Sequence, residues 1–327
     1  MASRIDEYLT YHRVSKQIGD IDPAHGMLRY LCDRFELNIE QRYWLAFLYA
    51  LTYCGPSVFF VYNEFPDFET LNKGRMERWW TSYGREQIIC QTDRRWCRSN
   101  NQFVDAIESY RKWVGKSTQQ QHFLGLTGKA ITASERYGRV YENAKSLYTF
   151  GQFTLFLYLE ALDTITDLHL APSTLDLDKA WSCRYGLYYA YGMDEAITDT
   201  QAPIPTFLQA DTIRCWNDLL LRIDDGSNVW NIETTLCAYR KFYRGKRYLG
   251  YYLDRQALEI AKMQDKVRNG VAWEVLWQFR QEHVPFLYRV ENVADTRRLV
   301  KGIPPAWTQM READTTEALR TGTVNLG

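Results

Sequence analysis

Cys237 to Arg255, CAYRKFYRGKRYLGYYLDR, interleaves two kinds of side chain that together handle nucleic acid. Arg240, Lys241, Arg244, Lys246, Arg247 and Arg255 can neutralise phosphates, and Tyr239, Phe242, Tyr243, Tyr248, Tyr251 and Tyr252 offer faces on which an unstacked base can lie. The mixture suits a chain that works on a base taken out of its duplex. The plainer alternative is an amphipathic segment with tyrosines inward and cations in water. Thr92–Arg98 sets Arg94, Arg95 and Arg98 around Trp96, either as an exposed charged loop or as guanidinium forks matched to phosphate or carboxylate oxygens. Leu175-Asp176-Leu177-Asp178 places two carboxylates just before a helical pattern, as helix caps or as a general base and its partner. Glu160 lies inside the apolar run LFLYLEAL, where a carboxylate is either a surface residue or a buried working group.

Several chemistries are excluded. Gly125-Leu126-Thr127-Gly128-Lys129-Ala130 is not a phosphate-binding P-loop, because Phe123 stands where the first glycine belongs and Ala130 where Ser or Thr should follow the lysine. No Gly-x-Gly-x-x-Gly follows a strand pattern, so a Rossmann nucleotide site is unsupported. His12, His25, His122, His169 and His283 are too dispersed to suggest a metal site, and no paired Cys-x-x-Cys occurs. The seven scattered cysteines and the absence of an apolar leader point to reduced thiols in a cytoplasmic protein. Forty basic and forty acidic residues cancel, which argues against a whole-molecule positive field but leaves room for a local basic groove.

The elements that must position these groups read as helices, so the expected class is all-α with few or no short strands. Asp20–Asp22 before Pro23 marks a helix start, and Asn38-x-x-Gln41 resembles a capping box. Tyr43–Tyr62 is uncharged and long enough to cross a bilayer, but Gly55-Pro56 breaks it. Two buried helices around a turn at Cys54–Pro56 are expected instead of a membrane span. Phe103–Trp113, Val140–Leu162 with a break at Gly151, Ala180–Tyr191, Pro205–Arg222, Gln256–Arg268 and Ala272–Gln281 are further helices. Gly115–Thr132 reads as a long loop and Tyr248–Leu253 as a short strand. Residues 1–303 read as one helical domain, in one or two lobes, and 304–327 as a polar mobile tail.

The ordered series Gln41–Tyr53, Tyr62-Asn-Glu-Phe-Pro66, Thr92–Trp96, Gly151-Gln152-Phe153, Leu175–Asp178, Arg184-Tyr-Gly-Leu187, Leu236–Tyr239 and Tyr248–Arg255 resembles the phage α-glutamyl/putrescinyl-thymine pyrophosphorylases, also called amino acid:DNA transferases, over roughly residues 25 to 290. The resemblance implies an enzyme that displaces pyrophosphate from 5-pyrophosphoryloxymethyluracil in DNA with an amine and forms a C–N bond at the thymine 5-methylene. The donor would be an amino acid such as glycine or glutamate, or putrescine, and the setting the host-cell cytoplasm. It also implies kinship with helix-hairpin-helix DNA glycosylases. Tyr43–Phe65 resembles their core helix and following turn, and Asp176 stands where they carry a catalytic aspartate. No clean hairpin turn is evident; Gly125-Leu-Thr-Gly128 and Phe150-Gly151 are the candidates. For that chemistry Arg94, Arg95, Arg98 and Arg247 are the expected pyrophosphate ligands, with Mg²⁺ as a candidate ion. Asp176 is the expected base, and Asp178 shares that role or positions the amine. Tyr251 and Tyr252 stack on the base, and Glu160 with Arg184 forms an ion pair or holds the donor carboxylate. Trp96, Gln152, Tyr239, Lys241, Tyr248 and Arg255 complete the DNA- and substrate-contacting set. Two alternatives stay open: a DNA glycosylase or lyase acting on a modified pyrimidine, and a non-catalytic protein that binds modified DNA.

Overall fold

The computed structural model describes residues 3–91, 97–99, 101–197, 201–290 and 293–324. Among them every regular element is helical: α1 (Arg4–Ile18), α2 (Pro23–Arg34), α3 (Ile39–Thr52), α4 (Gly55–Glu64), α5 (Lys73–Trp79), α6 (Arg85–Gln87), α7 (Gln102–Val114), α8 (Gln119–Thr127), α9 (Ala133–Ala144), α10 (Gln152–Ile165), α11 (Trp181–Ala190), α12 (Thr206–Arg222), α13 (Val229–Tyr243), α14 (Tyr251–Lys266), α15 (Glu274–His283), α16 (Val293–Leu299) and α17 (Pro305–Thr321). A π-turn at Trp80–Gly84 links α5 to α6.

Two helices are apolar all round and therefore lie inside. Every residue of α3 from Tyr43 to Thr52 is buried, and so is every residue of α10 from Thr154 to Leu162. They pack on one another at the centre. Phe47 of α3 stacks 4.0 Å from Tyr110 and 5.5 Å from Phe150. The Asn38–Gln41 capping box fixes the start of α3, each side chain bonding the other's backbone N–H. Tyr53 ends it in the left-handed region, and α4 follows at once with Pro56 in its first turn. The membrane-like run is thus two buried helices, and no described helix is long and apolar enough to cross a membrane.

Three readings of the chain are corrected. The supposed loop Gly115–Thr132 contains α8, begun by a Thr118–Gln121 capping box and anchored by buried Phe123, which stacks 4.7 Å from Tyr43. Tyr248–Leu253 is no strand but a turn that enters α14. Its sharp corner needs Gly250, whose φ is +88° and whose missing Cβ would lie 1.8 Å from the Tyr288 ring. The segment after Pro304 forms α17, pinned inward by Arg311 against Asp254.

Helices α11 and α13 approach closely at Gly186, where an added Cβ would sit 2.1 Å from the Leu236 carbonyl oxygen. Backbone cannot yield as a flexible side chain can. Gly186→Ala is therefore expected to cost roughly 1–3 kcal/mol, readable as a lower denaturation midpoint at unchanged slope.

Candidate active site

The site begins at a strained corner. Asp22 precedes α2 with φ of +46°, yet its side chain makes no cap bond. A non-glycine residue held in the left-handed region costs about 1–2 kcal/mol unless its surroundings compensate. Here the carboxylate turns inward. It accepts a hydrogen bond from the Tyr49 hydroxyl at 3.2 Å and lies 3.8 Å from His25 Nδ1. His25, in the first turn of α2, stands edge-on to Tyr49, with Nδ1 3.5 Å from Glu160 Oε1. Burial holds the imidazole below its ordinary pKa and therefore neutral. The Glu160 carboxyl is pushed well above the carboxylate range by burial, and further by the charges of Asp22 and Glu233. No Lys or Arg forms an ion pair with Asp22, Glu160 or Glu233 among the described residues.

A second wall comes from α13, where Glu233, Cys237 and Lys241 fall at i, i+4 and i+8 and share one partly open face. Glu233 accepts the Cys183 thiol at 3.0 Å, and burial, followed by the neighbouring Cys237, pushes its carboxyl up to about 8. Cys237 is the opposite case. The neighbouring Cys183, together with Arg247, Ser182 and Lys241, lowers its thiol to about 5. Of the two thiols Cys237 is the one whose thiolate is favoured, because it faces the cations while Cys183 faces a carboxyl. Lys241 is held below the usual lysine range by burial and by Arg247.

The first turn of α14 closes the third side. Asp20 accepts from the backbone N–H groups of Gly250 and Tyr252, both at 2.9 Å, and of Leu253 at 3.1 Å, so one buried carboxylate caps the helix and orients its tyrosines. The Arg247 guanidinium lies 4.8 Å over Tyr251 and 4.6 Å over Tyr252, and donates to the Tyr252 hydroxyl. Arg255 Nε donates to Glu259 at 3.0 Å, and Gln91 donates to the same oxygen at 2.6 Å.

Two cavities meet at this corner. The larger, about 760 Å³, is bounded by Asp22, His25, Glu160, Asp163, Arg29 and Trp230 among others. Its volume is in the range of small-molecule sites. The smaller is bounded by Tyr49, Tyr53, Tyr252, Arg255 and Glu259, and Asp22 with Pro23 borders both. The acidic corner of Asp22 and Glu160 thus lies on the larger cavity, which Arg29 also borders, while Arg255 and the tyrosine rings border the smaller together with Glu259.

The sequence-based candidates divide accordingly. Glu160 borders the larger cavity and Tyr252 and Arg255 the smaller, while Arg247, Tyr251 and Lys241 lie behind them near Tyr252 and Cys237 and border neither. Asp176 does not border either cavity; it is exposed and bound to Lys179 at 2.9 Å. Asp178 accepts from the Ile204 backbone N–H at 2.8 Å. Arg184 is buried, donating to the carbonyls of Leu177, Asp178 and Ala202, so the expected pair with Glu160 does not form. Tyr239 is buried with its hydroxyl on Glu7, and Tyr248 with its hydroxyl on Asp254. Arg98 donates to the Arg85 carbonyl at the surface. Gln152 is the half-buried first residue of α10. Arg94, Arg95 and Trp96 lie outside the described residues.

Asp22, His25, Glu233 and Cys237 were not singled out from the sequence. Asp22 was read as a helix start alone. The Glu-Cys-Lys spacing on α13 was a legible signal, a reactive stripe at helical period. Asp22, His25 and Glu160 could together hold a cation, since their ligand atoms lie within 4.8 Å of one another. The imidazole in that set suits a transition metal better than Mg²⁺, which prefers all-oxygen shells.

No solved structure matches the chain significantly. A serinyltransferase of Salmonella phage ViI is 25% identical over 273 residues, which cover 76% of this chain and 64% of that protein. The chain therefore spans somewhat less than two thirds of that relative's length. The family described as amino acid:DNA transferase matches residues 16–248, well over half of the chain and including Asp22, His25, Glu160, Glu233 and Cys237. On that match the chain belongs to the amino acid:DNA transferase family.

Proposed function

We propose that the protein is a DNA base-hypermodifying transferase that displaces pyrophosphate from 5-pyrophosphoryloxymethyluracil in DNA with the amine of an amino acid. The observation that carries this reading is the charge division of the site. Carboxylates without a Lys or Arg ion pair lie beside a cavity of small-molecule size, and a cation–tyrosine wall stands next to them. A donor ammonium fits the first and a pyrophosphate leaving group the second.

The roles follow from that division. Arg247, Lys241 and Arg255 take up charge as the methylene C–O bond breaks and pyrophosphate leaves with the bonding electrons. Tyr252 and Tyr53 flank the flipped uracil ring. The amine nitrogen forms the new bond to the 5-methylene carbon, and its surplus proton passes to Glu233 on the half-buried face of α13. Asp176 is not assigned the base role because its carboxylate is committed to Lys179 at the surface. For DNA contact, α8 and α9 are joined by a short hairpin at Gly128–Thr132, whose apex carries Ile131 at 88% exposure. The sequence candidate Gly125-Leu-Thr-Gly128 is instead the last turn of α8 and its C-cap, which lead into this connection.

Mass spectrometry of nucleosides digested from pyrophosphorylated DNA, after incubation with serine, glycine, glutamate or putrescine, tests the reading. Serine leads the panel because the phage relative is named for it. A thymidine adduct matching one amine supports the proposal. Free base or abasic sites would indicate a glycosylase, and unchanged DNA that is still bound a binding module. In the same assay Asp176→Asn is expected to stay within about threefold of wild type, because an exposed ion pair contributes little.

A further inference from the structure

We propose that Asp22, His25 and Glu160 form a binding site for one divalent transition-metal ion, open toward the larger cavity. The three come from separate places: the strained residue before α2, the first turn of α2, and the middle of the buried helix α10. Each offers one ligand atom, and these atoms lie within 4.8 Å of one another. His25 Nδ1 stands 3.5 Å from Glu160 Oε1 and 3.8 Å from Asp22 Oδ2. These separations exceed a hydrogen bond. They match two ligands that each sit about 2.1 Å from a shared ion, which are roughly 3 to 4 Å apart depending on the angle at the metal.

Two independent observations point to an occupant. The His25 side chain is about nine-tenths buried, directs Nδ1 between the two carboxyl groups, and makes no hydrogen bond through that nitrogen among the described residues. Buried imidazoles are normally satisfied. In addition, Asp22 and Glu160 form ion pairs with no Lys or Arg among the described residues, so two carboxyl groups share a buried corner whose nearest basic group is that imidazole. One imidazole and two carboxylates select Mn²⁺, Fe²⁺, Co²⁺ or Zn²⁺ over Mg²⁺ or Ca²⁺. Three protein ligands leave coordination positions free toward the cavity. On the transferase reading, and only on it, an α-amino acid could coordinate there through its amine and carboxylate. The ion itself does not depend on that reading.

The test is direct binding to the full-length chain. Protein stripped with a chelator and dialysed is titrated with Mn²⁺, Co²⁺, Zn²⁺ and Mg²⁺ by calorimetry, and the Co²⁺ form is read by its visible d–d absorption. The expected result is one equivalent of transition metal, weak or absent Mg²⁺ binding, and roughly 100-fold weaker binding in His25→Ala and Glu160→Gln, since even outer-shell changes cost 10–100-fold. The surface control Glu142→Gln should bind as wild type. Should either ligand variant fail to fold, Glu160→Asp decides: retained stoichiometry with a shifted Co²⁺ spectrum supports ligation. No stoichiometric metal, or affinity and spectra that ignore all three variants, would overturn the site. Donor binding to metal-free protein that is lost only in Glu160→Gln would assign the corner to an ammonium group instead. Because these readouts need no turnover, the site stands or falls separately from the transferase activity.

Discussion

Glu233→Gln is expected to lower kcat by roughly 10²–10⁴-fold, the usual contribution of a positioned general base, while leaving DNA binding intact. The pH dependence carries the sign. Burial and Cys237 hold the Glu233 carboxyl protonated up to about pH 8, so the basic form accumulates only above that value. Wild-type activity should therefore rise with pH through about 8 and then level, and the glutamine variant should lose that limb. Stability should move the other way. A carboxyl whose folded pKa is raised supports the fold fully below its unfolded value and less as pH climbs toward 8. The variant should thus gain stability relative to wild type as pH rises from about 4.5 to 8. Reduced turnover combined with equal or greater stability at pH 8 is a signature that a merely structural residue would not give. A flat pH profile in wild type would remove the assignment.

Asp254→Ala is expected to cost about 3–5 kcal/mol, the range for removing one partner of a buried charge pair. Asp254 is fully buried, accepts from the Tyr248 hydroxyl at 3.0 Å and from Arg311 Nε at 3.4 Å, and lies close enough to Arg280 to counter its charge. Arg280 spends its other donors on the Leu253 and Tyr288 carbonyls and the Gln256 side chain. Removing the carboxylate leaves buried Arg280 without its counter-charge and Arg311 with only Asp314, 3.8 Å away. Chemical denaturation should show the loss, and limited proteolysis should cut first near α17. A variant as stable as wild type would mean that α17 is held without the Arg311–Asp254 pair, by apolar contacts and by the Thr315 and Leu287 hydrogen bonds.

The helices were legible wherever an apolar pattern met a punctuating residue. Asn38-x-x-Gln41 and Gly55-Pro56 gave the α3–α4 pair because capping and ring geometry act within a few residues. The helix α8 was missed because a polar segment hid a single anchor, Phe123, and its Thr118-x-x-Gln121 box went unread. Tyr248–Leu253 misled because alternating aromatics look like a strand, whereas the positive φ of Gly250 and the N–H groups gathered by Asp20 make it a helix entrance. In the site, Glu160 was legible as a carboxylate in an apolar helix, and Tyr252, Arg247, Lys241 and Arg255 as a basic-aromatic run. Asp22 and His25 were not, since their role depends on which helix packs against α2 and no local spacing encodes that. Asp176 attracted attention for its place before a helix, and tertiary packing left it at the surface.

Kinship and physical integrity end at different places in this chain. The family match stops at residue 248, but Asp20 is satisfied only by N–H groups from Gly250 onward, and Tyr252 and Arg255 line a cavity with Asp22. A chain truncated at that limit would keep Asp22, His25, Glu160 and Glu233 yet strip one wall from the pocket and strand a carboxylate in the interior. The smallest piece worth expressing, or grafting onto a relative to change its donor, therefore reaches through α17, whose Arg311 secures the helix that carries those tyrosines.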